Sequence, residues 1–344
     1  MKKKAKAKPK KKRPLSKGRL IARIVSITLV LTVIACCAVG DWFVHHPREW
    51  LESHRAFYSA PLWYFGNRTA FITDAFGWTG HDAVYDADDE PAPSNTVLFA
   101  GAPMRVAPPA PDDIVVLNRG EFLIGWSPSL RHPVWAAYHV VKDARFDALN
   151  RPNFQKDLSV ASSPAANDYA RSGYDRGHLV PNRAIVTRYG PDEQAKTFLM
   201  TNIAPQRPAL NRGPWRELEQ RIADLWTARY GEIWVIVGAV SPIAARTKLE
   251  NTTIDVPQQY YMLIAAQDAE GVRALAVLLP QTAEVNDFPV HNIVTIKELE
   301  AATGLEFFPD MPKFLARPLK SDRPTRLWPI RARDIVKLIL LRFT

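Results

Sequence analysis

The middle of the chain is dense in apolar segments that are short enough to be β-strands. IVVLNRGEFLIGW predicts two strands around an Asn-Arg-Gly turn, and VWAAYHVV predicts a third. Further core strands are predicted at IWVIVGAVS, QYYMLIAAQ and RALAVLLPQ. Helices are predicted near DEQAKTFLM, PWRELEQRIADLW and TIKELEAATG. Because so many strands are apolar, the sequence predicts an α+β domain with a central antiparallel sheet flanked by helices.

The positive charge of the chain is concentrated at its two ends. The 344 residues carry a net charge of +10, of which residues 1–23 contribute +12 and residues 313–344 contribute +7. The residues between them therefore stand at −9. A central domain with this balance lacks a general positive field, so any polyanion that it binds has to be held by local basic residues or a metal. Six arginines clustered in sequence could supply such local charge, or they could form a basic rim that only contacts solvent. They are Arg171, Arg176, Arg183, Arg188, Arg207 and Arg212.

Two segments, YDRGHLVPNRAI at 174–185 and MTNIAPQRPALNRGPWRELE at 200–219, carry residues suited to one chemistry. Phosphodiester hydrolysis needs an activated water, a cation on the oxygens that gain charge, and a donor that orients the phosphate. Histidine titrates nearest neutrality, so His178 is a candidate base. Mg²⁺ prefers oxygen ligands and keeps several waters, so one or two protein groups suffice. Together these residues indicate metal-assisted phosphodiester cleavage.

Glu219 stands beside an apolar stripe of the helix that follows Asn211. This stripe recurs at helical spacing and consists of Trp215, Leu218, Ile222, Leu225 and Trp226. A carboxylate at its edge costs desolvation free energy unless a cation or a donor meets it. The alternative is an edge residue that reaches solvent.

The two segments resemble the DNA/RNA non-specific endonuclease family, which includes mitochondrial endonuclease G and secreted bacterial sugar-non-specific nucleases. The resemblance covers roughly residues 114–312 and extends to WAAYHVVKD, to the strand from Val256-Pro257 to Tyr260, and to ATGLEFFPDMP. It implies a ββα-metal finger formed by the DRGH strand and the Asn-bearing helix. In this resemblance His178 is the general base and Asn211 binds the metal. The match to N-x-G-x-W-x-x-L-E implies that Glu219 holds a metal-bound water.

Other residues of these segments have two interpretations each. Asn202 in TNIAPQ resembles an asparagine that orients the catalytic centre, or it caps a turn. Arg176 binds phosphate or pairs with Asp175, which we expect to be a structural acceptor because a further anion would repel the substrate. Arg151 in NRPNF resembles the family's upstream arginine that stabilises the transition state. Gln206 is expected to shape the same pocket.

The resemblance implies a metal-dependent endonuclease that hydrolyses DNA and RNA with little sequence specificity. The predicted cofactor is Mg²⁺, with Mn²⁺ or another divalent cation as alternatives, and no small-molecule cofactor is predicted. DNA and RNA are the predicted partners, and a homodimer is left open. One alternative is a catalytically weak membrane protein that binds nucleic acid or anionic lipid. Another is a phosphodiesterase for smaller substrates.

The N-terminus predicts a membrane anchor. Residues 1–23 form a basic cytoplasmic tail, and residues 24–44 are predicted to span the membrane because residues 24–40 are apolar or small and uncharged. This topology leaves the catalytic domain outside the cytoplasm, on the periplasmic or extracellular side. A cleaved signal peptide and a lipoprotein signal at Val33-Ile34-Ala35-Cys36 are the alternatives. The only cysteines, Cys36 and Cys37, lie in this segment, so the rest of the chain is free of disulfides.

The remaining boundaries follow from composition. Residues 45–110 are predicted to be a juxtamembrane region and an acidic, proline-containing linker, and residues 111–315 the nuclease domain. Residues 316–344 form a basic and apolar C-terminal tail that either docks on the domain or lies on anionic lipid.

Overall fold

The computed structural model describes residues 81–85, 97–147 and 150–334, together with Thr28, Thr32, Ala35, Ala38, Val39, Trp42 and His46. Its core is an eight-stranded sheet in the order β1-β12-β11-β8-β5-β4-β3, with β13 paired to β12. Every pairing is antiparallel, so the predicted central sheet is confirmed. These strands are β1 (Ala83–Tyr85), β3 (Val115–Asn118), β4 (Phe122–Ser127), β5 (His132–Val141), β8 (Glu232–Val240), β11 (Gln259–Asp268), β12 (Gly271–Pro280) and β13 (Ile293–Val294).

Short two-stranded pairs lie outside the central sheet. They are β2 (Met104–Arg105) with β14 (Leu305–Glu306), β9 (Thr247–Lys248) with β10 (Asp255–Val256), and β6 (Asp175–His178) with β7 (Ile203–Gln206). The last pair is an antiparallel ribbon that joins the two predicted site segments.

The three predicted helices are present, and two further helices, at 182–189 and 313–321, were not predicted. α1 (Asn182–Tyr189) follows the DRGH strand and buries Ala184, Ile185 and Val186. α2 (Pro191–Thr197), α4 (Ile296–Thr303) and α5 (Lys313–Ser321) are regular. Residues 208–230 form one interrupted helical segment, α3, whose parts are Pro208–Leu210, Asn211–Trp215, Arg216–Gln220, Arg221–Trp226 and Thr227–Tyr230.

Each face of the sheet packs against its own helices. Alternate residues of β11 point to opposite sides: Tyr260 and Met262 join a core cluster with α1 and α3, whereas Tyr261 and Leu263 join a second cluster with α4 and α5. The domain therefore has a helix-sheet-helix arrangement, and the site segments belong to the α3 face.

Residues at both ends of the predicted nuclease domain extend its fold. Within the predicted linker 45–110, β1 pairs with β12 and Phe99 is buried in the second cluster. Within the predicted C-terminal tail, Leu327 and Trp328 are fully buried, so the described part of the tail docks on the domain. Arg326 donates two hydrogen bonds to Asp82, which ties the tail to β1. Their membership of the domain could not be recognised from composition, because the residues that they pack against lie far away in sequence.

The predicted anchor at 24–44 lies almost entirely outside the described residues. Val39 and Trp42 are described as helical and pack half-buried against the first core cluster. Among the described residues, no helix combines the length and the hydrophobicity that crossing a bilayer requires.

Candidate active site

A cavity of about 690 Å³ opens between the β6–β7 ribbon and α3. Five of the predicted site residues line it, and Asn202 and Gln206 do not. The five lie up to 68 positions apart in sequence. Those residues are Arg151, Arg176, His178, Asn211 and Glu219.

His178 ends β6 and is held in an aromatic environment. Its ring lies against Phe154 at a centroid distance of 5.2 Å and edge-on to Phe198 at 4.8 Å. Burial, and then the nearby charge of Arg151, lower the pKa of the His178 imidazole to about 3. Nε2 has no hydrogen-bond partner among the described residues. His178 is therefore neutral at physiological pH and has a ring nitrogen available for a proton.

Gly177 lets the β6–β7 ribbon pack closely. A Cβ at this position would lie 2.1 Å from Oε1 of Gln206, so only glycine fits beneath that side chain. Gln206 itself is fully buried, and neither atom of its amide group is hydrogen-bonded within the described part of the chain. It supports the ribbon but does not line the cavity.

Asn211 is oriented by Asp175. Nδ2 of Asn211 donates a 2.9 Å hydrogen bond to Oδ2 of Asp175. Arg212 donates two further bonds to the same carboxylate, at 2.9 and 2.7 Å. Asp175 thus accepts structural hydrogen bonds, as we expect from the sequence. Its arginine partner is Arg212, and not Arg176, which the sequence offered as a candidate for this pairing.

The backbone changes direction between Asn211 and Glu219. Gly213 has non-helical angles of φ −104° and ψ −115°, and a Cβ there would lie 2.7 Å from the Val285 backbone. Trp215 and Leu218, both fully buried, then anchor the next turn in the first core cluster. Asn211 and Glu219 consequently reach the same cavity from either side of this bend.

Glu219 is half-buried at the cavity wall. Burial raises the pKa of its carboxyl to about 8, although the nearby Trp215 indole and the charges of Arg151 and Arg216 partly offset the effect. The carboxyl is therefore mostly protonated at neutral pH unless a cation lies beside it. Glu219 lies one residue after the buried Leu218, at the edge of the apolar stripe of α3.

Asn202 bonds to the backbone behind the cavity, a position that suits the orienting role that the resemblance implies. Its side chain is fully buried and is not part of the cavity wall. Oδ1 accepts from the Val180 backbone N–H at 3.0 Å, and Nδ2 donates to the carbonyls of Val180 and Thr197 at 2.9 Å. The amide group is fully occupied, so Asn202 fixes the chain that leaves His178.

Most arginines of the predicted basic rim are engaged within the protein. Arg176 donates two bonds to the Ala166 carbonyl, and its guanidinium lies 5.5 Å from the Phe154 ring. Arg183 pairs with Asp224 at 2.9 Å, while Arg188 is buried and bonds backbone carbonyls. Arg171 and Arg207 are exposed and lie outside the cavity wall. The rim is therefore less available to a polyanion than the sequence suggests.

Sequence reasoning missed Arg216, which lines the cavity and is exposed. Its position could have been predicted from its spacing to Glu219. Arg216 precedes Glu219 by three residues, and residues three apart on a helix share a face.

The donor set suits a hard cation. Among the described residues no group of three or more His, Cys, Asp and Glu side chains is arranged to hold a metal. Asn211 keeps its Oδ1 free of hydrogen bonds within this part of the chain, and Glu219 supplies a second oxygen donor. Two oxygen donors with room for water fit Mg²⁺ better than zinc.

Comparison with known proteins agrees with this geometry. The model of the family described as DNA/RNA non-specific endonuclease matches residues 100–314. A protein named Nuclease from Nostoc sp. is 28% identical over 235 residues, which cover 63% of this chain and 82% of the relative. Mitochondrial endonuclease G from Bos taurus is 30% identical over 215 residues, covering 56% and 69%.

Another relative matches over a smaller share of its length. Mitochondrial nuclease EXOG from Xenopus laevis is 26% identical, and the match spans 62% of it and 63% of this chain. A solved chain from a crystal structure of the EndoG/EndoGI complex superposes with a TM-score of 0.52 at 25% identity, covering 58% of this chain and 87% of that one. The match of the family model over more than half of the sequence is decisive: this chain belongs to the DNA/RNA non-specific endonuclease family.

Proposed function

We propose that the protein is a Mg²⁺-dependent endonuclease that hydrolyses phosphodiester bonds of DNA and RNA, with His178 as the general base. One observation carries the proposal. A single cavity combines a neutral, unpartnered imidazole with the free carbonyl oxygen of Asn211 and the half-buried carboxyl of Glu219.

Asn211 and Glu219 are the residues that would hold the cation. When bound, the cation supplies positive charge to the phosphate oxygens that become more negative during hydrolysis. It also favours the ionised form of Glu219, which burial otherwise disfavours. Both side chains offer oxygen, the donor that Mg²⁺ prefers.

His178 takes the proton of the attacking water. Its depressed pKa keeps the imidazole unprotonated, and the rings of Phe154 and Phe198 fix its plane. Arg151 is exposed on the cavity wall, and its charge acts on both His178 and Glu219. Arg151 is thus suited to orient the scissile phosphate between them, and Arg176 supports the wall beside it.

A plasmid-nicking assay on the full chain in detergent tests the proposal. Wild-type activity should vanish in EDTA, and His178→Ala should lose about 10²–10⁴-fold in turnover while isothermal titration still detects Mg²⁺ binding. Added imidazole should restore part of that rate. His81→Ala, which alters an exposed histidine outside the cavity, is the matched control and should retain the wild-type rate. Near-normal turnover of His178→Ala, or activity that survives EDTA, contradicts the proposal.

We further propose that residues 24–44 anchor the protein with the catalytic domain outside the cytoplasm. The support is the charge of +12 on residues 1–23 directly before an uncharged apolar segment. Alkaline phosphatase fused to the C-terminus should be active, and a reporter that works only in the cytoplasm should be inactive. The mass of the membrane-extracted protein distinguishes an uncleaved anchor from a lipoprotein or a cleaved signal.

A further inference from the structure

Arg216 differs from most other arginines on the cavity wall in what it contacts. Arg176, Arg183 and Arg212 have their guanidinium groups bonded to Ala166, Asp224 and Asp175 respectively. Arg216 forms no hydrogen bond or ion pair with the described part of the chain, and its side chain is exposed. An unbonded guanidinium keeps all five of its N–H donors for a ligand, and its planar geometry matches a phosphate.

The position of Arg216 separates it from the reacting centre. It precedes Glu219 by three residues on α3, so the two side chains share a face with Cβ atoms about 5–6 Å apart. Glu219 is half-buried, whereas Arg216 is exposed and therefore lies toward the mouth of the cavity. The charge of Arg151 lowers the pKa values of both His178 and Glu219, whereas the charge of Arg216 lowers that of Glu219. Arg216 thus lines the cavity beside Glu219, at a more exposed position than the Glu219 carboxyl.

We propose that Arg216 binds a phosphate adjacent to the scissile one, so that the cavity selects polynucleotide strands over small phosphodiesters. This inference rests on the proposed function. A nucleic acid strand presents phosphates at regular intervals, so a strand whose scissile phosphate lies beside His178 carries further phosphates that Arg216, on the wall of the same cavity, can contact. A small diester has a single phosphate and offers nothing to Arg216.

The role predicts a specific kinetic signature. A contact to a non-reacting phosphate is equally strong in the ground state and the transition state, so its loss raises KM and leaves kcat unchanged. It also removes one counterion-releasing contact, which lowers the salt dependence of single-strand binding by about 0.7 in log–log slope. An Arg216 that acted on the scissile phosphate would instead affect every substrate.

The test compares Arg216→Gln with Arg317→Gln in the full-length protein. Arg317 is an equally exposed arginine on α5, on the opposite face of the sheet, so it controls for the lost charge. Kinetics are measured on a single-stranded oligonucleotide and on bis(p-nitrophenyl) phosphate. Oligonucleotide binding is measured by fluorescence anisotropy over a salt series in a His178→Ala background.

Arg216→Gln should raise KM for the oligonucleotide about tenfold, the low end for a hydrogen bond to a charged group, with kcat unchanged. Both constants for the small diester should stay at wild-type values, and the salt slope should fall only for this variant. Equal losses on both substrates, or an unaltered KM and salt slope with the oligonucleotide, overturn the inference. A wild-type protein that cleaves neither substrate contradicts the proposed function instead, and the anisotropy series then still decides whether Arg216 contacts a phosphate.

Discussion

Asp175 determines which end of the Asn211 amide faces the cavity. A carboxylate only accepts hydrogen bonds, so Nδ2 of Asn211 has to point toward it, at 2.9 Å, and Oδ1 has to point away. Burial alone would raise the pKa of the Asp175 carboxyl, but the hydrogen bonds from Arg212 and Asn211 hold it below its usual range. The DRGH strand therefore carries the proposed base and also orients the proposed cation ligand on α3.

Asp175→Asn should weaken Mg²⁺ binding by about 10–100-fold, the usual cost of losing a group that orients a metal ligand. The new side chain can donate as well as accept, so the Asn211 amide is no longer fixed. Isothermal titration and the Mg²⁺ dependence of nicking measure the effect, and saturating Mg²⁺ should restore most of the rate. Asp82→Asn is the matched control, because Asp82 also accepts two bonds from one arginine but far from the cavity. Equal Mg²⁺ affinity of the two variants would show that Asp175 does not orient Asn211.

Mg²⁺ binding should release close to one proton from Glu219 at pH 7 and almost none above pH 9. The pKa of this carboxyl is raised to about 8 in the metal-free protein, so ionising it beside a cation expels a proton. Isothermal titration in two buffers of different ionisation enthalpy measures the proton count. Glu219→Gln should bind Mg²⁺ more weakly and release none.

The same shift makes the stability of the metal-free protein depend on pH. The pKa of Glu219 is higher in the folded than in the unfolded protein. The contribution of its carboxyl to the free energy of unfolding is therefore fully present below about pH 4.5 and is lost as the pH rises through about 8. In EDTA the wild type should therefore lose stability relative to Glu219→Gln across that window. Parallel unfolding curves of the two proteins would contradict the raised pKa.

Asn202→Ala should reduce stability and activity together. The change leaves three buried backbone groups without partners, and each such group costs about 1–3 kcal/mol. Thermal unfolding in EDTA should show a large drop in Tm, and added Mg²⁺ should not restore activity. Asn211→Ala offers the contrast: its Tm in EDTA should stay near the wild-type value, and high Mg²⁺ should recover part of its rate. A stable but inactive Asn202→Ala would show that Asn202 acts in catalysis directly and not through the fold.

Trp328→Ala should destabilise the domain by about 3–5 kcal/mol, as expected for deleting a fully buried tryptophan. The Trp328 ring packs against Trp226 and Tyr230 at centroid distances of 5.5 and 5.3 Å. Chemical denaturation measures the loss. Phe314→Ala, at a half-exposed position on α5, should cost far less. Comparable curves for both variants would mean that the tail contributes little to the fold.

The sequence by itself determined the α+β architecture and the identity of the two site segments. Strand and helix periodicities are local, so β5, β8, β11 and β12 could be recognised from residues that are neighbours in the chain. The spacing of Asn211 and Glu219 is likewise fixed within one helical segment. The fold class and the family follow from such short-range patterns.

Only the tertiary structure decided which polar groups are free to act. The sequence does not distinguish Arg183 and Arg212 from Arg216. In the structure Arg183 pairs with Asp224 and Arg212 with Asp175. Asn202 could be distinguished from Asn211 only by the backbone groups that surround it. Likewise, the edge strand β1 and the docked tail depend on a contact between Asp82 and Arg326, 244 residues apart. The availability of a side chain depends on partners brought close by folding, and a one-dimensional pattern does not record them.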